Sequence, residues 1–458
     1  VLAEKWEISK DHKTFTFKLR DNLKWSDGQP LTVEDVKFSF DAIKDKRYKA
    51  LSKMPYFDGI DRCEIVDPKT VKFIAKTDYF QNFDVVAGNS IVPKHIYGDP
   101  EAKVNKTFVG SGPYMLDTYE KGRRIILKRN PLWWGIAEAK KKGEDNFDKI
   151  VFRFVDSPQV RLEMLKKGDI DYMGLEPEQY VKNTDGPEWG KTLIKVKTKN
   201  EGAKAFNWIG FNLRNEIFKD VKVRLALAHL VNRDLMIQKF KFGLAEKTKG
   251  PGVSQEYESK ELKAIPFDPK KALQLLTEAG WKDADKKGVL SKTINGKKYD
   301  LRFEVMIATD VWTRYLTVFK EDAKKVGVDV SIKQVEWNTF SRLLDEHKFD
   351  TVAMAWSGGG VQWDPKQIWH SDSRNGGSNY IDYSNPAVDK MIDQARTTWD
   401  RKKRAKLLQQ VNLQIANDVP YIFLFNPSND LYAHRSNIQK AKDTYKYGIG
   451  MNYWWMKK

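Results

Sequence analysis

The sequence predicts an α/β fold with more than one lobe. Between residues 301 and 356, three short apolar strands alternate with two segments of helical periodicity, as in strands joined by helical crossovers. The chain of 458 residues is too long for one hydrophobic core and corresponds to about three domain-sized units. Apolar residues make up 41% of it, which is enough for packed interiors. We therefore expect a folded chain that contains at least one α/β lobe.

The N-terminal region predicts a half-buried strand followed by a helix. Residues 14–19 alternate between apolar and polar side chains, which is the period of a strand with one buried face. Thr32 stands three residues before Asp35 at the start of a helical stripe, the spacing of a capping box. A turn at Ser26–Gly28 separates the two elements.

Two segments in the middle of the chain carry clear helix signals. Residues 150–173 show the order strand, helix, strand, which predicts a βαβ unit. Asp268 and Pro269 begin a segment that Gly280 ends, and this punctuation is typical of a helix with an N-cap and a proline in its first turn.

A glycine-rich stretch follows the last strand of the α/β region. The apolar run Thr351–Trp356 ends at Ser357, Gly358, Gly359 and Gly360, where the backbone lacks side chains that would keep a ligand away. Trp363 and Asp364 follow within a few residues. Bare backbone, large aromatic rings and one acid suit a ligand pocket. The alternative is that the aromatic residues pack in a core and that Asp364 and Pro365 form a turn.

The charge balance raises a nucleic-acid or anionic-surface partner as an alternative. Lys and Arg number 80 against 62 Asp and Glu, which gives a net charge of +18. The excess is spread along the chain, and its densest run, Lys140–Lys142, predicts a solvated loop. Because spread-out charge favours solubility over phosphate recognition, we expect no nucleic-acid partner.

Cysteine and histidine usage argues against metal sites. The single cysteine, Cys63, excludes an internal disulfide and a cysteine-based zinc site. Six histidines lie scattered without metal-ligand spacing, so we expect no metal and no cofactor. No apolar run approaches the roughly 18 residues that span a membrane, and no signal-peptide pattern is present. The chain begins at Val1, in the middle of a sequence pattern and without a methionine. We therefore expect that an N-terminal piece is missing.

Several motifs together resemble one known family. Residues 2–40, LAEKWEISKDHKTFTFKLRDNLKWSDGQPLTVEDVKFSF, closely resemble the peptide-type (family 5) extracellular solute-binding proteins of ABC importers. The resemblance continues along the whole chain, with gaps, at Gly110–Tyr114, Asn130–Trp134, Trp208–Leu213, Phe218–Arg224 and Asp268–Gly280.

The resemblance implies the two-lobed periplasmic-binding-protein fold of type II, in its large peptide-binder subclass, with a ligand cleft between the lobes. Residues 1–211 would form the first lobe, in which residues 1–98 resemble an extra subdomain. Residues 212–424 would form the second lobe, and residues 425–458 would return to the first. The connecting segments would lie near residues 209–213 and 421–427.

The resemblance also points to ligand-binding residues. In peptide binders of the family, a W-x-x-D motif supplies an aspartate that pairs with the ligand's α-ammonium group. Trp356 matches the tryptophan, but Gly359 occupies the aspartate position, so either Asp364 replaces that carboxylate or this protein does not hold a free amino terminus in that way. Trp337 matches a ligand-facing tryptophan, with a core position as the alternative. The expected ligand-binding residues are Phe211, Asn212, Trp337, Trp356, Ser357, Gly358, Gly359, Gly360, Trp363 and Asp364.

These observations predict a monomeric binding protein, not an enzyme. It would capture oligopeptides and deliver them to the permease subunits of an ABC transporter, in the periplasm or anchored at the outer face of the cytoplasmic membrane. A non-peptide solute such as an oligosaccharide is the alternative ligand, because aromatic walls also stack on sugar rings. A cleft hydrolase is a further alternative, although no Gly-x-Ser-x-Gly, His-Glu-x-x-His or P-loop motif is present.

Overall fold

The N-terminal region folds around an antiparallel sheet. The computed structural model describes residues 1–48, 50, 53–101, 107–202, 205–251, 255–357 and 362–457. The first elements are β1 (Ala3–Ile8), β2 (Thr14–Leu19), α1 (Val33–Lys44), α2 (Met54–Phe57), β3 (Ile60–Asp67), β4 (Thr70–Ala75), α3 (Asn82–Ala87) and α4 (Lys94–Tyr97). The sheet has the order β1-β2-β4-β3. The predicted strand is confirmed, and so is the capping box of Thr32 and Asp35 at the start of α1.

Two small antiparallel sheets complete the first part of the chain. Their elements are β5 (Tyr114–Glu120), β6 (Arg124–Arg129), α5 (Ile136–Lys142), β7 (Lys149–Arg153), α6 (Pro158–Lys167), β8 (Tyr172–Gly174), α7 (Pro177–Lys182) and β9 (Leu193–Thr198). Strands β5, β6 and β7 form one sheet, whereas β8 and β9 both pair with a strand near the C-terminus.

Two sequence predictions in this region are wrong. The segment 150–173 is not a βαβ unit, because β7 pairs with β6 while β8 belongs to a different sheet. Periodicity shows that a strand is present but does not identify its distant partner. The run Lys140–Lys142 is the last turn of α5 rather than a loop, a position where cations interact favourably with the helix dipole.

The middle of the chain forms a larger α/β lobe. Its first elements are β10 (Phe206–Phe211), α8 (Val221–His229), α9 (Arg233–Lys241), β11 (Ala245–Lys247), α10 (Pro269–Glu278), β12 (Ser291–Ile294), β13 (Lys297–Asp300), β14 (Arg302–Ile307) and α11 (Thr313–Lys324). They continue with β15 (Asp329–Gln334), α12 (Trp337–Asp345), β16 (Thr351–Trp356), α13 (Lys366–Trp369), α14 (Pro386–Arg396), α15 (Arg401–Asp418), β17 (Tyr421–Phe423) and β18 (Phe425–Pro427). The predicted helix after Asp268 is confirmed as α10.

The central sheet of this lobe has the order β15-β14-β16-β10-β17. Strand β14 is parallel to β15 and to β16, while β10 is antiparallel to β16 and to β17. Because successive side chains of a strand point to opposite faces, the sheet buries two cores. One core packs against α8, α10 and α11, and the other packs against α12, α14 and α15.

The C-terminal segment returns to the first part of the chain. It contains β19 (Asp430–Arg435), β20 (Ile438–Gln439) and β21 (Trp455–Met456). Strand β19 lies between β8 and β9 and is antiparallel to both. Strand β10 pairs with β16 of the central sheet over its full length.

Candidate ligand cleft between the lobes

The chain passes twice between the lobes at one end of the strands of the large sheet; this line of strand ends is called the edge below. In the first lobe, Thr198 at the end of β9 pairs with Asp430 at the start of β19. In the second lobe, Trp208 near the start of β10 pairs with Phe423 at the end of β17. The parallel strands β14, β15 and β16 end at this same edge. Ligands of open α/β sheets bind outside the carboxyl ends of the strands, so this edge is the candidate ligand site.

A cavity of about 600 Å³ lies where the two connecting segments pass. Its volume falls in the range of roughly 300–1,000 Å³ that is usual for sites of small ligands. Both lobes contribute to its wall, which includes Tyr172, Asn207, Lys241, Phe425, Asp430 and Tyr447. The cavity therefore offers aromatic surface together with a few polar groups.

Trp356 is held at this edge by other aromatic rings. Strand β16 continues past the end of β14, because Met306 pairs with Val352, four residues before Trp356. The Trp356 ring stacks on Trp208 at 5.7 Å between centroids, and its Nε1 donates to the Tyr421 hydroxyl at 3.4 Å. Trp356 is half-buried and thus presents part of its ring at the cleft edge.

Ser357 and Trp337 are exposed at the same edge. Ser357 follows β16 directly, while Gly358, Gly359 and Gly360 lie outside the described residues. Trp337 is the first residue of α12, beyond the end of β15, and its side chain stacks on Phe340 at 5.7 Å. It is 59% exposed, which is not the exposure of a core residue.

Three other predicted residues have different surroundings. Trp363 is 7% exposed and belongs to the hydrophobic core of the second lobe. Phe211 pairs with Thr351 at the far end of β10 and is fully buried, about 17 Å along the strand from the Trp356 pair at 3.4 Å per residue. Beside it, Asn212 donates to the carbonyl oxygens of His347 and Phe349. Phe211 and Asn212 thus lie away from Trp356, whereas Trp363 belongs to the core against which Trp356 also packs.

The Asp364 carboxylate has protein partners on both oxygens. Its Oδ2 accepts from Arg396 and from the Tyr79 hydroxyl, the latter at 2.6 Å, and its Oδ1 accepts from the backbone N–H of Lys366 at 3.0 Å. Burial and the Asp364 charge raise the pKa of Tyr79, against the opposing effect of Arg396. Tyr79 therefore stays protonated near neutral pH and donates to Asp364.

Residues 1–379 match the family described as bacterial extracellular solute-binding proteins, family 5 Middle. The chain belongs to this family. Proteins of family 5 are extracytoplasmic. None of the helices in the described part of the chain is long and apolar enough to cross a membrane.

Named relatives of this family 5 protein include peptide-binding proteins. The oligopeptide-binding protein AppA of Bacillus subtilis is 28% identical over 464 residues, which cover 97% of this chain and 81% of AppA. The dipeptide-binding protein of Escherichia coli is 26% identical over 464 residues, covering 92% of this chain and 80% of that protein. Both relatives are named as binding proteins rather than enzymes.

The solved structures show the same architecture. The structure of Bacillus subtilis AppA in complex with a nonapeptide matches with a TM-score of 0.82 and 27% identity, covering 100% of this chain and 90% of that one. The fold is thus the two-lobed, mixed α/β periplasmic-binding-protein fold of the family 5 type, as the sequence predicted.

Sequence reasoning missed several residues of the cleft region. The cavity residues Asn207 and Phe425 lie on β10 and β18. In the sequence, each of these strands is an apolar run with a single asparagine. The side-chain partners of Asp364 are 285 and 32 residues away along the chain, so no local signal marks them. Among the described residues, no group of three or more His, Cys, Asp or Glu side chains could hold a metal ion.

Proposed function

We propose that this protein captures oligopeptides outside the cytoplasmic membrane and delivers them to the permease subunits of an ABC importer. The observation that carries the proposal is membership of family 5, together with similarity over almost the whole chain to an oligopeptide-binding protein whose structure holds a nonapeptide. The named dipeptide-binding relative supports the same ligand class.

The arrangement of the lobes suits a ligand that is enclosed by closure. Two connecting segments allow the lobes to rotate about them, as hinges do in binding proteins of this kind. Strand pairing supports a first lobe that ends before Phe206, a second lobe that extends to Pro427, and a return to the first lobe from Asp430. The hinges would then lie near residues 199–202 and 428–429.

We assign Trp337, Trp356 and Ser357 to the ligand-facing edge of the second lobe. The exposed ring of Trp337 and the half-buried ring of Trp356 provide apolar walls, and an extended peptide gains affinity from backbone hydrogen bonds that do not depend on its side chains. Phe211, Asn212 and Trp363 support the second lobe from within. Glycines 358–360 follow Ser357 and stay candidates on sequence grounds.

The protein acts as a monomer without cofactor, metal or catalytic activity, and it does not bind nucleic acid. Part of its positive charge is engaged in surface ion pairs, such as those of Lys37 with Asp41 and Lys142 with Glu138. It works in the periplasm or anchored at the outer face of the cytoplasmic membrane.

Native mass spectrometry of the full-length protein as purified tests the proposed ligand class. We expect bound species that resolve on denaturation into short peptides of several lengths. Titration calorimetry with synthetic peptides should then give micromolar affinity or better, which corresponds to about 8 kcal/mol, and matched oligosaccharides should serve as the negative control. A single non-peptide mass, or saccharide binding with no peptide binding, would contradict the proposal.

A further inference from the structure

The two lobes also meet through a cluster of side chains that does not include the connecting segments. We call this cluster the clasp. Its first-lobe members follow β4 and extend into α3, and its second-lobe members come from the segments around α13 and α14. They are Asp78, Tyr79, Gln81 and Asp84 on the first lobe and Gln362, Asp364, Arg396 and Trp399 on the second.

The centre of the clasp is a carboxylate shared between the lobes. Asp364 and Arg396 form an ion pair within the second lobe, with side chains 14% and 24% exposed. Tyr79 of the first lobe donates its hydroxyl to the same Asp364 oxygen that Arg396 contacts, and its ring lies 3.9 Å from the Arg396 guanidinium carbon. The backbone N–H of Phe80 donates to the Arg396 carbonyl at 3.0 Å. The first lobe thus covers an ion pair that the second lobe supplies.

Polar contacts surround this centre on both sides. The Gln362 side chain donates to Asp84 at 2.7 Å, and Gln81 donates to the Gln362 carbonyl at 3.2 Å. On the other side, the Trp399 indole N–H donates to Asp78. Interfaces between domains that move relative to one another are more polar than permanent ones. The clasp is mainly polar, with Trp399 stacked on His12 as its aromatic contact, and a mainly polar contact can separate in water.

We propose that Asp364 is a closure residue rather than a ligand residue, and that the clasp sets the equilibrium between open and closed lobes. The inference rests on the proposed function for the identity of the ligand, but the closure itself is a property of the chain. If the ligand binds the closed state, its apparent dissociation constant rises in proportion as the closed fraction falls. Loss of the clasp then weakens every ligand by the same factor.

The geometry opposes the alternative role of Asp364 as an anchor for the ligand's amino terminus. Both carboxylate oxygens are occupied by protein donors, and Arg396 already balances the charge. An incoming ammonium group would have to displace Arg396 or Tyr79, and displacement of Arg396 would leave a partly buried guanidinium without its anion. A ligand gains little from such an exchange.

The variant Tyr79→Phe is the sharpest test, since it removes the hydroxyl that contacts Asp364 and Gln81 and keeps the aromatic ring and the ion pair. Tyr119→Phe is the matched control, because Tyr119 is also in the first lobe and is 49% exposed away from the clasp. The affinity of each variant is measured by titration calorimetry for one peptide with a free amino terminus and for its N-acetylated counterpart. Small-angle X-ray scattering of the unliganded full-length protein reports the lobe arrangement.

We expect Tyr79→Phe to weaken both peptides by the same factor, about fivefold for one hydrogen bond, and to increase the radius of gyration without ligand. Asp364→Ala should do the same by a larger factor. A loss confined to the free-amino peptide in Asp364→Ala would establish the anchor role and overturn the proposal. Unchanged affinities and scattering in Tyr79→Phe would also overturn it.

The test separates closure from ligand identity. If the wild-type protein binds neither peptide, the proposed function fails, yet the scattering comparison still decides the closure proposal. An expanded Tyr79→Phe variant would then support the clasp, and an unchanged one would refute it.

Discussion

The ligand-facing edge of the second lobe and the clasp differ in what holds them together. At the edge, Trp208, Trp356 and Tyr421 all belong to the second lobe and support one another by ring stacking, with Trp208 and Tyr421 parallel at 3.8 Å. At the clasp, Tyr79 and Asp364 come from different lobes and meet through a directional hydrogen bond. The comparison suggests a wall that is built before ligand arrives and a contact that forms when the lobes meet.

The largest expected effect comes from removing the support of the edge. Trp208 is fully buried, so Trp208→Ala should lower the free energy of unfolding by about 3–5 kcal/mol, as other large-to-small core substitutions of aromatic residues do. Denaturant unfolding measures this loss. Trp337→Ala, at an exposed position, is the control and should change stability by about 0.5 kcal/mol or less. Similar losses in the two variants would mean that the edge is not prebuilt by stacking.

The ion pair at the centre of the clasp should carry the next largest effect. Arg396→Gln leaves the Asp364 carboxylate without its cation in a shielded place, and we expect a loss of about 2 kcal/mol in the free energy of unfolding. Lys142→Gln removes a cation from an exposed pair with Glu138 and should cost about 0.5 kcal/mol or less. A double-mutant cycle of Arg396→Gln with Asp364→Asn that shows no coupling would contradict this account.

Trp356 should matter for ligand more than for stability. The Trp356 ring stacks on Trp208 and is partly exposed at the cleft edge. Trp356→Ala should therefore weaken peptide binding about tenfold, or about 1.4 kcal/mol. Titration calorimetry measures the change. Trp399→Ala is the comparison variant. That tryptophan belongs to the clasp and not to the edge, so its loss acts through closure and not through the ligand wall. Unaltered affinity in Trp356→Ala would remove Trp356 from the proposed ligand wall.

The smallest expected effect is a loss of clasp stability in alkaline solution. The pKa of Tyr79 is raised in the folded protein by burial and by Asp364, with Tyr56 adding to the rise and Arg396 opposing it. A phenol with a raised pKa stabilises the fold fully below its unfolded pKa of about 10 and loses that contribution as pH rises above it.

The difference in unfolding free energy between wild type and Tyr79→Phe should therefore shrink by about 1 kcal/mol per pH unit above pH 10. Urea denaturation at several pH values between about 8 and 11 measures it. Using the difference cancels the titration of the other tyrosines. A constant difference over this range would show that Tyr79 does not titrate with folding.

Local signals predicted much of the fold correctly. The capping box of Thr32 and Asp35 and the helix between Asp268 and Gly280 depend on residues that are close in sequence. The parallel strands between residues 301 and 356 follow from their spacing and from the length of the helices between them. The family resemblance then indicated two lobes, which the structural comparison confirms.

The site could be predicted only in part. Trp356 and Trp337 lie at the carboxyl edge of the sheet, where strand ends place them. Phe211 lies on β10 only three residues after Trp208, but it points to the opposite face and lies nearer the opposite edge. Strand direction, which the sequence pattern does not show, separates these residues.

The sequence by itself determined the strands and helices, the family and the class of fold, because each depends on neighbouring residues or on motifs that can be read along the chain. Only the tertiary structure decided the surroundings of Asp364. Its partners Tyr79 and Arg396 come from segments far apart in the chain, and the energy of a carboxylate depends on which charges and donors surround it in space. No local pattern contains that information.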